Sequence, residues 1–182
     1  MGDIAQPFYD DGNEPDLVGG CSNELPPISA RCQSLVQIEN TADGWCLARA
    51  ILVGLAWKKF CHRNNPTGRL QIPIEFRRFT SENQQLKIGA EELMKRAAVS
   101  TSKLVYGIPD VQRFQKYFDQ TLGHGEIRLV VFSHARQNNI VYKGASPAAK
   151  FDLCLYLESN HFNFIGKPSQ LFRVIFYILG II

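Results

Sequence analysis

Two short stretches hold the side chains best suited to covalent chemistry. Cys46 opens an apolar helical pattern, directly after Asp43-Gly44-Trp45. Amide N–H groups and the positive end of the helix dipole meet at such a position, and both favour thiolate over thiol. The same turn, through Gly44 and Trp45, can present N–H groups to a developing oxyanion. The competing assignment for Cys46 is a small buried residue that starts a core helix. Far along the chain, His161-Phe162-Asn163-Phe164-Ile165 reads as a strand beside a turn. Period two places His161, Asn163 and Ile165 on one face and the two phenylalanines on the other. The phenylalanines anchor the strand, and the Asn163 carbonyl can accept from one imidazole nitrogen. The second nitrogen is then left to face a thiol, the base-plus-orienter arrangement of a cysteine hydrolase. Taken singly, a histidine on a strand such as His161 is more often a satisfied structural residue.

The remaining cysteines suggest no other chemistry. The count is five, an odd number, and no C-x-x-C pair occurs. Met1–Asp10 shows neither a basic stretch nor an apolar run of the secretory kind. Reduced thiols in an intracellular protein, cytoplasmic or nuclear, are therefore expected. Cys61-His62 is the one close Cys/His pair, and nothing supplies two more ligands at zinc spacing, so neither metal nor cofactor is expected.

The elements that must position Cys46 and His161 follow from periodicity. Leu47, Ala50, Ile51, Gly54 and Leu55 share one helical face, and Lys58 and Lys59 suit its last turn. Residues 62–68 stop that helix. Residues 69–80 are ambiguous because Pro73 interrupts them. A second helix is expected from about Ser81, with Ser81 and Gln84 as a capping box. It buries Leu86, Ala90, Leu93, Met94 and Ala97. A third helix follows Gly107, with Pro109 in its first turn and Val111, Phe114, Phe118 and Leu122 inward. The pattern then changes to strands at 126–133, 140–143, 151–157 and 161–165, with turns at Asn138-Asn139 and Glu158-Ser159-Asn160. A short strand precedes the first helix, at 34–38. Helices first and strands later predict an α+β fold, N-terminal helices packed on a small, mainly antiparallel C-terminal sheet.

The chain of 182 residues is 45% hydrophobic and 20% charged, which fits one globular domain. Residues 1–33 combine Pro, Gly and turn formers with acids (Asp3, Asp10, Asp11, Glu14, Asp16, Glu24), and read as a flexible acidic leader. A domain at 34–170 follows, then an apolar tail at 171–182. The apolar run in that tail is too short to cross a membrane. The formal net charge is +3. Because the leader carries only acids, the body is more basic than that figure, which is compatible with an acidic protein partner or, as a weak signal, nucleic acid.

Asp43-Gly44-Trp45-Cys46-Leu47-Ala48-Arg49-Ala50 resembles the D-G-x-C-[LF]-[FY]-R-A box of the ovarian-tumour (OTU) cysteine peptidases. Leu155–Asn163 (LYLESNHFN) is similar to their closing element, a hydrophobic strand and turn before His-aromatic-Asn/Asp. The resemblance covers about residues 34–166 and is strongest at these two boxes. It implies a papain-like, OTU-like fold and a deubiquitinase that acts on ubiquitin or a ubiquitin-like protein. Cys46 would be the nucleophile, His161 the general base, Asn163 its orienting partner, and Asp43 the residue shaping the oxyanion loop. Ala48 and Trp45 depart from the family pattern, at an aromatic and a small polar position respectively. A second similarity is to the OTU-like region ahead of the protein-primed DNA polymerase in some large animal mobile elements. Its pieces are 46–56, 108–118 and the strand pair within 127–144. It implies an alternative role, an inactive module of a polyprotein that binds a ubiquitin-like protein or nucleic acid.

Overall fold

A computed structural model describes residues 34–39, 43–61, 73–81, 83–169 and 171. The leader at 1–33 and the tail beyond Leu171 lie outside the described residues. Among the described residues, four α-helices and a five-stranded sheet make a mixed α and β architecture. The strands are β1 (Leu35–Val36), β2 (Arg128–Ser133), β3 (Asn139–Lys143), β4 (Asp152–Glu158) and β5 (His161–Ile165). They lie in the order β1-β5-β4-β2-β3. β2 and β4 run parallel, and every other neighbouring pair is antiparallel.

Helix α1 (Cys46–Phe60) is buried nearly all round, as its apolar composition demands. It lies against β5 and β4 on one side and against α2 (Ile74–Ser81) and α3 (Asn83–Arg96) on the other. Gly54 permits the close approach to the sheet. A Cβ there would stand 2.6 Å from Leu153 Cγ on β4. Replacing Gly54 with Ala gains at most about 1 kcal/mol of helix propensity. Overpacking costs about 1–3 kcal/mol. The variant is therefore expected to unfold at lower urea concentration with an unchanged slope; a higher midpoint would show that Leu153 yields freely.

Alternation along the strands divides the buried side chains between two faces. Leu129, Val131, Leu153, Leu155, Phe162 and Phe164 join the main core beneath α1. Val130, Phe132, Cys154, Tyr156 and Ile165 form a second cluster on the far face, with Leu35 and Leu171. The expected inward phenylalanines of β5 are thus in the core, both at 1% exposure or less.

Several local expectations change. The ambiguous stretch around Pro73 contains α2, which starts immediately after the proline. The Pro73 carbonyl accepts the Arg77 N–H at 3.1 Å, so the ring sits where a helix needs no donor. Ser81 consequently ends α2, and its hydroxyl donates back to the Arg78 carbonyl at 3.0 Å instead of capping the next helix. Helix α4 (Ile108–Thr121) starts where Gly107 and Pro109 predict, but Leu122 caps its end and is 49% exposed. β2 begins at Arg128, two residues later than the apolar pattern. The turn into β3 falls on Gln137 and Asn138, both left-handed, one residue earlier than expected. The β4–β5 turn is where the sequence places it. Ser159 and Asn160 have φ of +50° and +61°, the paired left-handed conformation of a two-residue hairpin. That turn makes His161 the first residue of β5, opposite Glu158.

Candidate active site

The turn before α1 is built around Asp43. Its carboxylate accepts the Trp45 N–H at 3.1 Å, an Asx-type turn. It also receives both terminal nitrogens of Arg49, at 2.8 and 2.6 Å. The Arg49 side chain is 5% exposed and that of Asp43 17%, so this is a bidentate pair largely removed from water. Gly44 takes φ +69°, and a Cβ there would lie 2.4 Å from the Leu104 carbonyl oxygen. Only glycine fits beneath that backbone. The loop that crosses it is tied down on both sides. The Trp45 indole donates to the Thr101 carbonyl at 3.1 Å. Lys103 pairs with Asp110 at the start of α4 at 2.9 Å.

These bonds revise the role expected of the turn. The Trp45 N–H is committed to Asp43, and the Cys46 N–H donates to the Gly44 carbonyl at 2.9 Å. Both donors already serve the loop, so an oxyanion would have to compete for them. Asp43 holds this turn through Arg49, a partner that the sequence analysis does not single out. The signal was present: Arg49 stands inside an otherwise apolar helix, and a buried guanidinium requires a carboxylate.

Cys46 occupies the first position of α1 and is 5% exposed. The backbone of Phe162, the residue after His161, lies close enough to the thiol to favour its ionised form. The two stretches singled out in the sequence therefore meet at one place. The thiol is not primed as its helix-start position suggests. Burial raises its pKa above the ordinary 9.0, and this outweighs the opposing pull of the Phe162, Leu47 and Cys46 amides and the Arg49 charge. A raised pKa favours the thiol over the thiolate. Alkylation of folded protein by iodoacetamide is expected to accelerate about tenfold per pH unit up to at least about pH 9. A rate that levels off below about pH 8 would contradict the burial.

His161 is half-buried at the edge of the sheet. Its Nε2 lies 2.8 Å from the Ile38 carbonyl oxygen. A carbonyl only accepts, so Nε2 carries the hydrogen, and in the neutral ring the lone pair is on Nδ1. Nδ1 is buried and makes no hydrogen bond. An unsatisfied buried acceptor costs about 1–3 kcal/mol. The backbone next to His161 thus reaches the Cys46 thiol, while no hydrogen bond joins thiol and imidazole. Asn163, 4% exposed, makes no hydrogen bond to the imidazole, contrary to expectation. Its Oδ1 accepts the Ile38 N–H at 2.9 Å. The physical reason lies in β1. Its ladder with β5 covers only Leu35 and Val36, and beyond them the peptide groups of Ile38 turn to β5 side chains for partners. Tyr106 completes the surroundings. Its hydroxyl donates to the Ser100 carbonyl at 2.9 Å, and burial, then the charges of Asp110, Cys46 and Asp43, push its pKa up to about 12.

Among the described residues no group of three or more His, Cys, Asp or Glu side chains could hold a metal ion. No described helix is long and apolar enough to cross a membrane. Comparison of the chain with models of protein families, with curated proteins and with solved structures finds no match.

Proposed function

We propose that this chain is a cysteine hydrolase of the OTU-like, papain-like type, acting on the (iso)peptide bond after a ubiquitin-like C-terminal Gly-Gly. The observation that supports the reading is the closeness of the Phe162 backbone to the Cys46 thiol, together with a buried, unpartnered Nδ1 on His161, the residue before Phe162. In the reaction, Cys46 Sγ attacks the scissile carbonyl carbon, and its proton passes to His161 Nδ1. The tetrahedral intermediate collapses to a thioester as Nδ1–H protonates the leaving amine. Water, deprotonated at the same nitrogen, then attacks the thioester and restores the thiol. Because Cys46 rests as a thiol, proton transfer accompanies attack instead of preceding it.

Ubiquitin carrying a C-terminal fluorogenic amide tests the reading. Release of the fluorophore by the wild-type chain, retained in Cys61→Ala, is the expected result. The burial of Cys46 favours a second reading, an inactive OTU-fold module that binds a ubiquitin-like protein or nucleic acid within a mobile-element polyprotein. That reading predicts no release, together with either saturable ubiquitin binding or salt-dependent binding to DNA.

A further inference from the structure

We propose that the peptide group of Ile38 is the orienting element of this site, with Asn163 holding Ile38 and Ile38 holding His161; the proposal rests on the hydrolase reading above. The geometry is a relay across 125 residues of sequence. The Asn163 carboxamide oxygen receives the Ile38 N–H at 2.9 Å, and the carbonyl of the same residue receives His161 Nε2–H at 2.8 Å. Ile38 is itself anchored, 7% exposed and packed in the main core. Its backbone therefore has a fixed position from which to aim the ring.

A carbonyl acceptor has one consequence that a carboxamide placed against the ring would not enforce. An amide side chain can rotate and offer either oxygen or NH2, and so accept from or donate to a ring nitrogen. The Ile38 carbonyl can only accept, so it selects the Nε2–H tautomer and leaves Nδ1 as the base. Asn163 is a positioning residue at second remove. It acts on the imidazole only by keeping the segment after β1 against β5, where two ladder residues alone would leave it weakly held.

The test uses the full chain, labelled with nitrogen-15, as wild type, Asn163→Ala and Asn163→Asp. In the wild type at mildly alkaline pH, His161 should show a pyrrole-type Nε2 and a pyridine-type Nδ1, with a slowly exchanging Ile38 amide. Asn163→Ala should speed exchange of the Ile38 amide at least ~10-fold and mix the two tautomers. Its kcat for the fluorogenic ubiquitin amide should fall ~10–100-fold with KM little changed, the mark of lost orientation. Asn163→Asp keeps an acceptor for the Ile38 N–H and should restore both amide protection and tautomer. If Asn163→Ala changes the tautomer while the Ile38 amide stays protected, Asn163 acts on the ring directly and the relay is overturned. It is also overturned if neither signal moves. The spectroscopic signals do not need turnover. Their appearance as expected in a wild type that releases no fluorophore would establish the relay and sink the hydrolase reading alone.

Discussion

Cys46→Ala is expected to lower turnover of a ubiquitin C-terminal amide by ~10³-fold or more, and His161→Ala nearly as far. The two effects should not add. Nucleophile and base act as one unit, so the double variant should be about as slow as either single one. Neither side chain carries much of the fold. Cys46 is small, and His161 is half-buried with one structural hydrogen bond, so both variants should unfold within about 1–2 kcal/mol of the wild type. Steady-state rates beside urea unfolding curves check the pair of claims. Full turnover in His161→Ala would remove the imidazole from the mechanism whatever its position.

The largest effect on stability is expected at Arg49. Its guanidinium is buried against Asp43 with two charge-assisted bonds. Removing one member of such a pair leaves the other charge in a poorly solvated place, at a cost of about 3–5 kcal/mol. That is a large part of the roughly 5–15 kcal/mol by which a domain is stable. Arg49→Met should therefore lower the urea midpoint sharply and slow turnover, because the Asp43-Gly44-Trp45 turn loses its tether. Arg49→Lys should recover only part of either loss. A single ammonium cannot reproduce the planar two-point contact. An unchanged midpoint in Arg49→Met would show that Asp43 is adequately held by its other contacts.

What could be read from the sequence divides along physical lines. Elements with an unbroken period were legible. The inward face of α3, the alternating strand β4 and the Ser159-Asn160 hairpin all lie where their patterns place them, whereas α1 is buried nearly all round instead of on one face. Proline obscured α2, since the same residue that breaks a helix internally also begins one. The meeting of Cys46 with the start of β5 follows from two local patterns, a helix opening and a strand following a tight turn. The orientation of His161 could not be read that way. Its acceptor is a backbone carbonyl, and every residue type carries one, so Ile38 leaves no trace in composition or spacing. The direction of the Cys46 pKa shift is not legible in the sequence for a related reason. Helix position is local, whereas burial is a property of everything packed around the thiol, and here burial dominates. Arg49 was the accessible clue, a charge amid Leu47, Ala48, Ala50 and Ile51 that must be answered from nearby.

The central claim is that the sulfur of Cys46 can be reached by the C-terminus of a ubiquitin-like protein and attacks its terminal carbonyl carbon with the help of His161. Incubation with ubiquitin ending in a propargyl amide, followed by intact mass and peptide mapping, tests it most directly. One covalent adduct on Cys46, absent in Cys46→Ala and strongly slowed in His161→Ala, is the predicted result. No adduct on the folded wild-type chain, or an adduct that persists in Cys46→Ala, would contradict it.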